Sequence, residues 1–204
     1  MPLEIEMDRH TFTYAAVLTL ACLCTNTAFA QCSVPPDDSR WLLRIEHRST
    51  YPAGPEWDTR ITVYDDGCLV MDAPKALREG GGRTERDIPG VHLDGIKEFL
   101  AAEKMHALSA EVLVGEMKRG GHTDLNALGA DSVTDAPYTT VSFRDPKTKA
   151  ASRSVEIYAL SHLTLPASLK RLAQVQDIVR AVDQLALAAA LSRPQPAAAR
   201  VEEH

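Results

Sequence analysis

The sequence predicts an α+β domain, an antiparallel sheet of about four to six strands in two hairpins, packed on one face by two helices. Three stretches carry that reading. Residues 58–72 set the alternating, β-branched Ile61-Thr62-Val63 and the return run Cys68-Leu69-Val70-Met71 on the two sides of Asp66-Gly67, as a β-hairpin does. Residues 138–159 repeat the pattern around a turn at 145–151. Residues 165–191 set Leu169, Leu172, Val175, Val179, Val182 and Ala186 at spacings of three and four, the stripe of a helix facing a core.

Taken in order, residues 31–40 read as an extended linker containing Pro35-Pro36. Residues 41–47 then alternate as a strand, with Trp41, Leu43, Ile45 and His47 on one side and Leu42, Arg44 and Glu46 on the other. Pro52, Gly54 and Pro55 make 49–57 a loop. Asp66-Gly67 suits a two-residue type I′ turn, which would set Val63 opposite Val70 and line the core with Ile61, Val63, Cys68 and Val70. A longer loop starting at Asp65 would change the partners and could flip the faces. The polar stretch 72–90, with Gly80-Gly81-Gly82 at its centre, has room for a short strand near 83–88. Asp94 is the expected cap of a helix over 95–106, with Leu93, Ile96, Phe99 and Leu100 as its apolar stripe. Residues 110–121 fit either a strand or a helical turn, and 122–134 read as surface loop. Pro166 falls in the first turn of the long helix, where a missing N–H costs little, and Pro194 stops it. A single domain over 41–192 and a disordered Ala/Pro-rich tail over 193–204 complete the division.

The chain has 204 residues and a formal net charge of −6. Residues 1–30 read as an export signal, an apolar run ending Ala28-Phe29-Ala30, with cleavage expected before Gln31. Glu4, Glu6 and Asp8 make its start acidic, which leaves Met7 as an alternative initiator to Met1. The apolar stretch 15–24 is shorter than the ~20 residues a membrane span needs, and neither Cys22 nor Cys24 sits in a good lipidation motif. The mature protein is then expected to be periplasmic or secreted, with no stable membrane insertion. Cleavage leaves Cys32 and Cys68, and two cysteines in an oxidising compartment predict one disulfide between them. The mildly acidic mature chain argues against nucleic acid as a partner.

Chemistry is sparse. Nucleophile-elbow, zinc-protease and phosphate-loop motifs are absent, and Gly80-Gly81-Gly82 lacks the Lys-Ser/Thr of a phosphate cradle. No cofactor is implied. Cys68 as a catalytic thiol, with His47 or His162 beside it, is outweighed by the disulfide, because a reactive thiolate outside the cytoplasm would be oxidised. What remains is a surface. Tyr51 and Trp57, with Pro52 and Pro55, occupy the loop beside the first hairpin and suit recognition of a protein, a protease or an envelope component. The alternative is a small hydrolase or metal-dependent enzyme with a site gathered from His47, His122, Asp124 and Asp135.

Asp66-Gly67 and Thr134-Asp135-Ala136-Pro137 resemble two kinds of small exported bacterial domain, over roughly residues 41–185. One is an uncharacterised family with a strand–Asp-Gly–strand opening, a helix, and a Thr-Asp-x-Pro lead-in to a later hairpin. Its Cys-x-Gly-x-Cys-Pro segment has no counterpart here, since 49–57 contains no cysteine. The other is the emfourin type of metalloprotease inhibitor, similar in the order of its elements and in an Asp before the later hairpin. That second resemblance implies a protease-inhibitory surface, with no inhibitory residue transferable to this chain.

Overall fold

Strand alternation and a single bulge decide which side chains meet the helices. In the computed structural model, which describes residues 32, 38–50, 58–73, 82–125, 128–130 and 134–191, six strands form one antiparallel sheet. They are β1 (Trp41–Arg48), β2 (Thr59–Tyr64), β3 (Cys68–Asp72), β4 (Arg83–Asp87), β5 (Tyr138–Phe143) and β6 (Val155–Tyr158), in the order β4-β3-β2-β1-β5-β6. Three α-helices cover one face: α1 (Gly90–Ala102), α2 (Ala110–Arg119) and α3 (Lys170–Leu191). The class is α+β as expected, with three helices where two were predicted, because the ambiguous 110–121 segment is helical. Ser109 caps it, its hydroxyl accepting from the Val112 N–H at 3.3 Å.

The first hairpin is real, but its turn has three residues. Val63 pairs with Leu69 and Thr62 with Val70. Only Gly67 in the turn has positive φ, at 96°, so a type I′ turn, which needs two such residues, is excluded. The longer loop flips the return strand. Leu69 and Met71 join Ile61 and Val63 in the core, while Cys68 and Val70 lie on the opposite face with Tyr64. Trp41 is also reversed. The pairing of β1 with β2 shifts between Trp41 and Leu43, and the extra residue sends both Leu42 and Leu43 into the core and Trp41 to the other side.

Between sheet and helices lies one continuous apolar core, in which Leu43, Ile45, Leu69, Phe143, Leu100, Leu172 and Val182 have no more than 1 % exposure. Helix α1 begins five residues earlier than expected. Pro89 precedes it, its carbonyl accepting from the N–H groups of His92 and Leu93, so Asp94 is an exposed mid-helix residue and not the cap. The helix also ends sooner, since Lys104 takes a left-handed conformation (φ 50°). Helix α3 starts at Lys170, leaving Pro166 in the preceding turn. Its first N–H groups are satisfied from α2. The Glu116 carboxylate accepts from the Arg171 N–H at 2.9 and 3.0 Å and from the Leu172 N–H at 3.2 Å. The segment read as surface loop after α2 turns inward instead, with Leu128 and Ala130 buried and the Leu128 carbonyl accepting from Thr164.

Gly82 closes the β3–β4 connection. Ala73 N–H donates to its carbonyl at 2.7 Å, and a Cβ at position 82 would meet the Ala73 carbonyl oxygen at 1.8 Å. Close backbone approach thus accounts for this glycine. Gly80 and Gly81, like residues 1–31, 33–37 and 192–204, lie outside the described residues.

One buried histidine is expected to make the fold acid-sensitive. His92 is 3 % exposed, its Nδ1 lacks a hydrogen-bond partner, and burial lowers its pKa below the usual 6.5. The unfolded chain takes up this proton first as pH falls, so stability is expected to drop as pH descends from 6.5 toward the depressed value, and then to level off. Urea midpoints between pH 7.5 and about 5 would show this contribution. His92→Phe should flatten it, and an unchanged pH slope in that variant would rule the mechanism out.

Candidate functional site

Among the described residues the helices leave the other face of the sheet uncovered, and its side chains follow from the register. One row across the sheet runs Arg83, Asp72, Arg60, Glu46, Thr140, Glu156, successive Cα partners on all six strands. Charges alternate along most of it. Arg60 pairs with Glu46, Arg83 with Asp72 at 3.6 Å and Glu85 at 2.7 Å, and Arg48 with Glu156 at 2.6 Å. Above this row and the Arg44–Thr62–Ser142 row is a shallow cleft of about 570 Å³. Such exposed pairs add little stability each. They suit the wet face of an antiparallel sheet.

The two ends of this face differ. At one, Cys32 and Cys68 form the predicted disulfide, with a Cα–Cα distance of 5.4 Å, beside Trp41, Tyr64 and Val70. Guanidinium groups of Arg44 and Arg144 lie 4.7 and 4.4 Å from the Trp41 ring centroid. Arg40 and Lys149 both pair with Asp65 in the adjacent turn, at 2.7 and 3.0 Å. Burial alone would raise the Asp65 pKa, but hydrogen bonds and charge from Lys149 and Arg40 outweigh it and hold the carboxyl below its ordinary value.

At the other end, Arg48, Tyr138 and Tyr158 face each other across β1, β5 and β6. The tyrosine rings are 5.1 Å apart and tilted by 50°, and the Arg48 guanidinium lies 5.6 Å from the Tyr138 centroid. Tyr138 is 37 % exposed. The β1–β2 connection leaves from this same end, its neck closed by a hydrogen bond from Ser49 N–H to Asp58 at 3.2 Å. Tyr51 and Trp57 belong to that connection and lie outside the described residues.

His47 has a different setting. It sits on the core-facing side of β1, directly opposite Thr139 on β5. Nδ1 is 3.1 Å from the Thr139 hydroxyl, and Nε2 is 2.9 Å from Asp183 Oδ1 on α3. A carboxylate can only accept, so Nε2 carries a proton. In the neutral ring Nδ1 is then the acceptor and the Thr139 hydroxyl the donor. The three residues line a small, mainly apolar cleft of about 180 Å³ with Leu160, Val179 and Leu187.

The other residues proposed for a dispersed enzyme site do not join it. His122 follows α2, its N–H donating to the Met117 carbonyl, and Asp124 is exposed in the segment after it. Asp135 is exposed, at φ 63°, ahead of β5. Among the described residues no three His, Cys, Asp or Glu side chains gather as a metal site. Thr139 and Asp183 were missed from sequence because they lie 92 and 136 residues from His47. Asp183 adjoins Val182 of the α3 apolar stripe, the one local sign that it approaches the sheet.

Among the described residues no helix is long and apolar enough to cross a membrane. The chain matches no protein-family model, no curated protein and no solved structure.

Proposed function

We propose that this is an exported protein-binding protein, acting through the sheet end that carries Arg48, Tyr138 and Tyr158. One observation carries the reading, the pairing of exposed Tyr138 with half-buried Tyr158 and a guanidinium over the Tyr138 ring, at the strand ends from which the connection holding Tyr51 and Trp57 departs. Tyrosine, tryptophan and arginine are the residues that dominate binding energy at protein interfaces. Rigid strands present them, so little conformational entropy is lost on contact. The Cys32–Cys68 bridge supports the export half of the proposal, since such bonds persist in oxidising compartments.

Site-specific photo-crosslinking in the exporting cell tests this. A benzophenone side chain at position 138 or 158 is expected to give a discrete protein adduct, and one at Glu98, on the outer side of α1, none. Arg48→Ala should weaken the adduct severalfold. Absence of any protein adduct from both tyrosine positions would remove the proposal. Assay of metalloproteases with and without the purified protein then decides whether binding inhibits. Intact-mass measurement should find Gln31 at the mature N-terminus and a mass lower by two hydrogens than the reduced chain.

A further inference from the structure

We infer that Thr139, His47 and Asp183 form an ester-hydrolysing site, separate from the open sheet face. The chemistry begins with the tautomer. Asp183 accepts the Nε2 proton at 2.9 Å, which leaves the Nδ1 lone pair 3.1 Å from the Thr139 hydroxyl. A hydroxyl, an imidazole and a carboxylate in series are the parts of an activated nucleophile. Here the ring nitrogens are exchanged relative to the familiar serine triad, with Nδ1 serving as the base.

Access distinguishes this trio from a buried tie between sheet and helix. The His47 side chain is 21 % exposed and that of Asp183 37 %. All three residues line the cleft of about 180 Å³. Thr139 itself is 3 % exposed, a buried residue that nonetheless lines the cleft. Leu160, Val179 and Leu187 make the walls apolar, and Leu187 is 60 % exposed at the surface. The volume is below the roughly 300 Å³ at which pockets for drug-sized ligands begin. A short acyl chain fits that description. Arg180, an exposed residue, also lines the cleft.

In the reaction, Thr139 Oγ1 bonds to the ester carbonyl carbon as its proton passes to Nδ1 of His47. The carbon–oxygen bond to the alcohol then breaks, and the departing oxygen takes that proton. Water, deprotonated by Nδ1, attacks the acyl-threonine and releases the acid as the proton returns to Thr139. The sum is ester plus water giving acid plus alcohol. Asp183 is a positioning residue that fixes the tautomer and offsets the transient imidazolium charge.

The test uses the oxidised full-length mature protein with p-nitrophenyl acetate and p-nitrophenyl butyrate. Saturable release of nitrophenol is expected, with one acyl group on the peptide containing Thr139 after an acid quench. Thr139→Ser should retain turnover, while Thr139→Val, close in shape, should lose it by about a hundredfold or more. Asp183→Asn should lower kcat at least about tenfold with KM little changed. Turnover in the natural protein no faster than in Thr139→Val, or acylation of another residue, would overturn the inference. If Thr139→Val fails to fold, the Thr139→Ser protein decides alone: acyl-serine at position 139 upholds the site, and its absence removes it.

Discussion

Reducing the Cys32–Cys68 bridge is expected to lower the unfolding free energy by roughly 2–4 kcal/mol. The bond joins residues 36 apart in sequence, so reduction restores a large set of conformations to the unfolded chain. Its place in the native state adds to the effect. Cys68 is 1 % exposed against Trp41, Tyr64 and Val70, the only apolar cluster described on the otherwise polar open face. Cys68→Ser should therefore cost more than Cys32→Ser, because it also leaves a hydroxyl in an apolar site. Urea unfolding with and without reductant measures the first quantity, and the two variants compared under reducing conditions measure the second. Identical midpoints with and without reductant would show that the bridge does not restrict the unfolded chain.

Glu116→Ala is expected to cost about 2–3 kcal/mol, a large effect for one partly polar residue. The carboxylate of Glu116, a residue 9 % exposed, takes the N–H groups of Arg171 and Leu172 at the start of α3. These belong to the donors that a helix cannot satisfy internally, and a negative charge there also meets the positive end of the helix dipole. Alanine would strand both. Glu116→Gln keeps an acceptor oxygen without the charge and should lose about half as much. Chemical denaturation at neutral pH gives the ordering, with Glu116→Ala below Glu116→Gln below the natural protein. A loss under about 0.5 kcal/mol in the alanine variant would mean that water replaces the carboxylate at no cost.

Glu116 also shows why the helix boundaries were hard to read. The periodic stripe already begins at Leu169, and nothing near Pro166 in sequence reveals that the cap for α3 is supplied by α2, 55 residues earlier. Likewise, Leu93, Ile96, Phe99 and Leu100 correctly mark the buried side of α1, while its start depends on Pro89 and its end on the left-handed Lys104. In the first hairpin, Asp66-Gly67 places the turn to within one residue. That one residue reverses the return strand, because side chains alternate with a period of two.

The sequence by itself determined the alternation of β5, the buried stripes of α1 and α3 and the glycine turn at 67, and it pointed to the pairing of Cys32 with Cys68. Each depends on neighbours within a few positions or, for the cysteines, on the expectation that Cys22 and Cys24 leave with the export signal. Tertiary structure alone decided that Trp41 and Cys68 share the open face, that Glu116 caps α3, and that His47 stands between Thr139 and Asp183. Those outcomes depend on a bulge, a turn length and the packing of a helix on a sheet. Such geometry joins residues whose separation along the chain carries no local periodic signal.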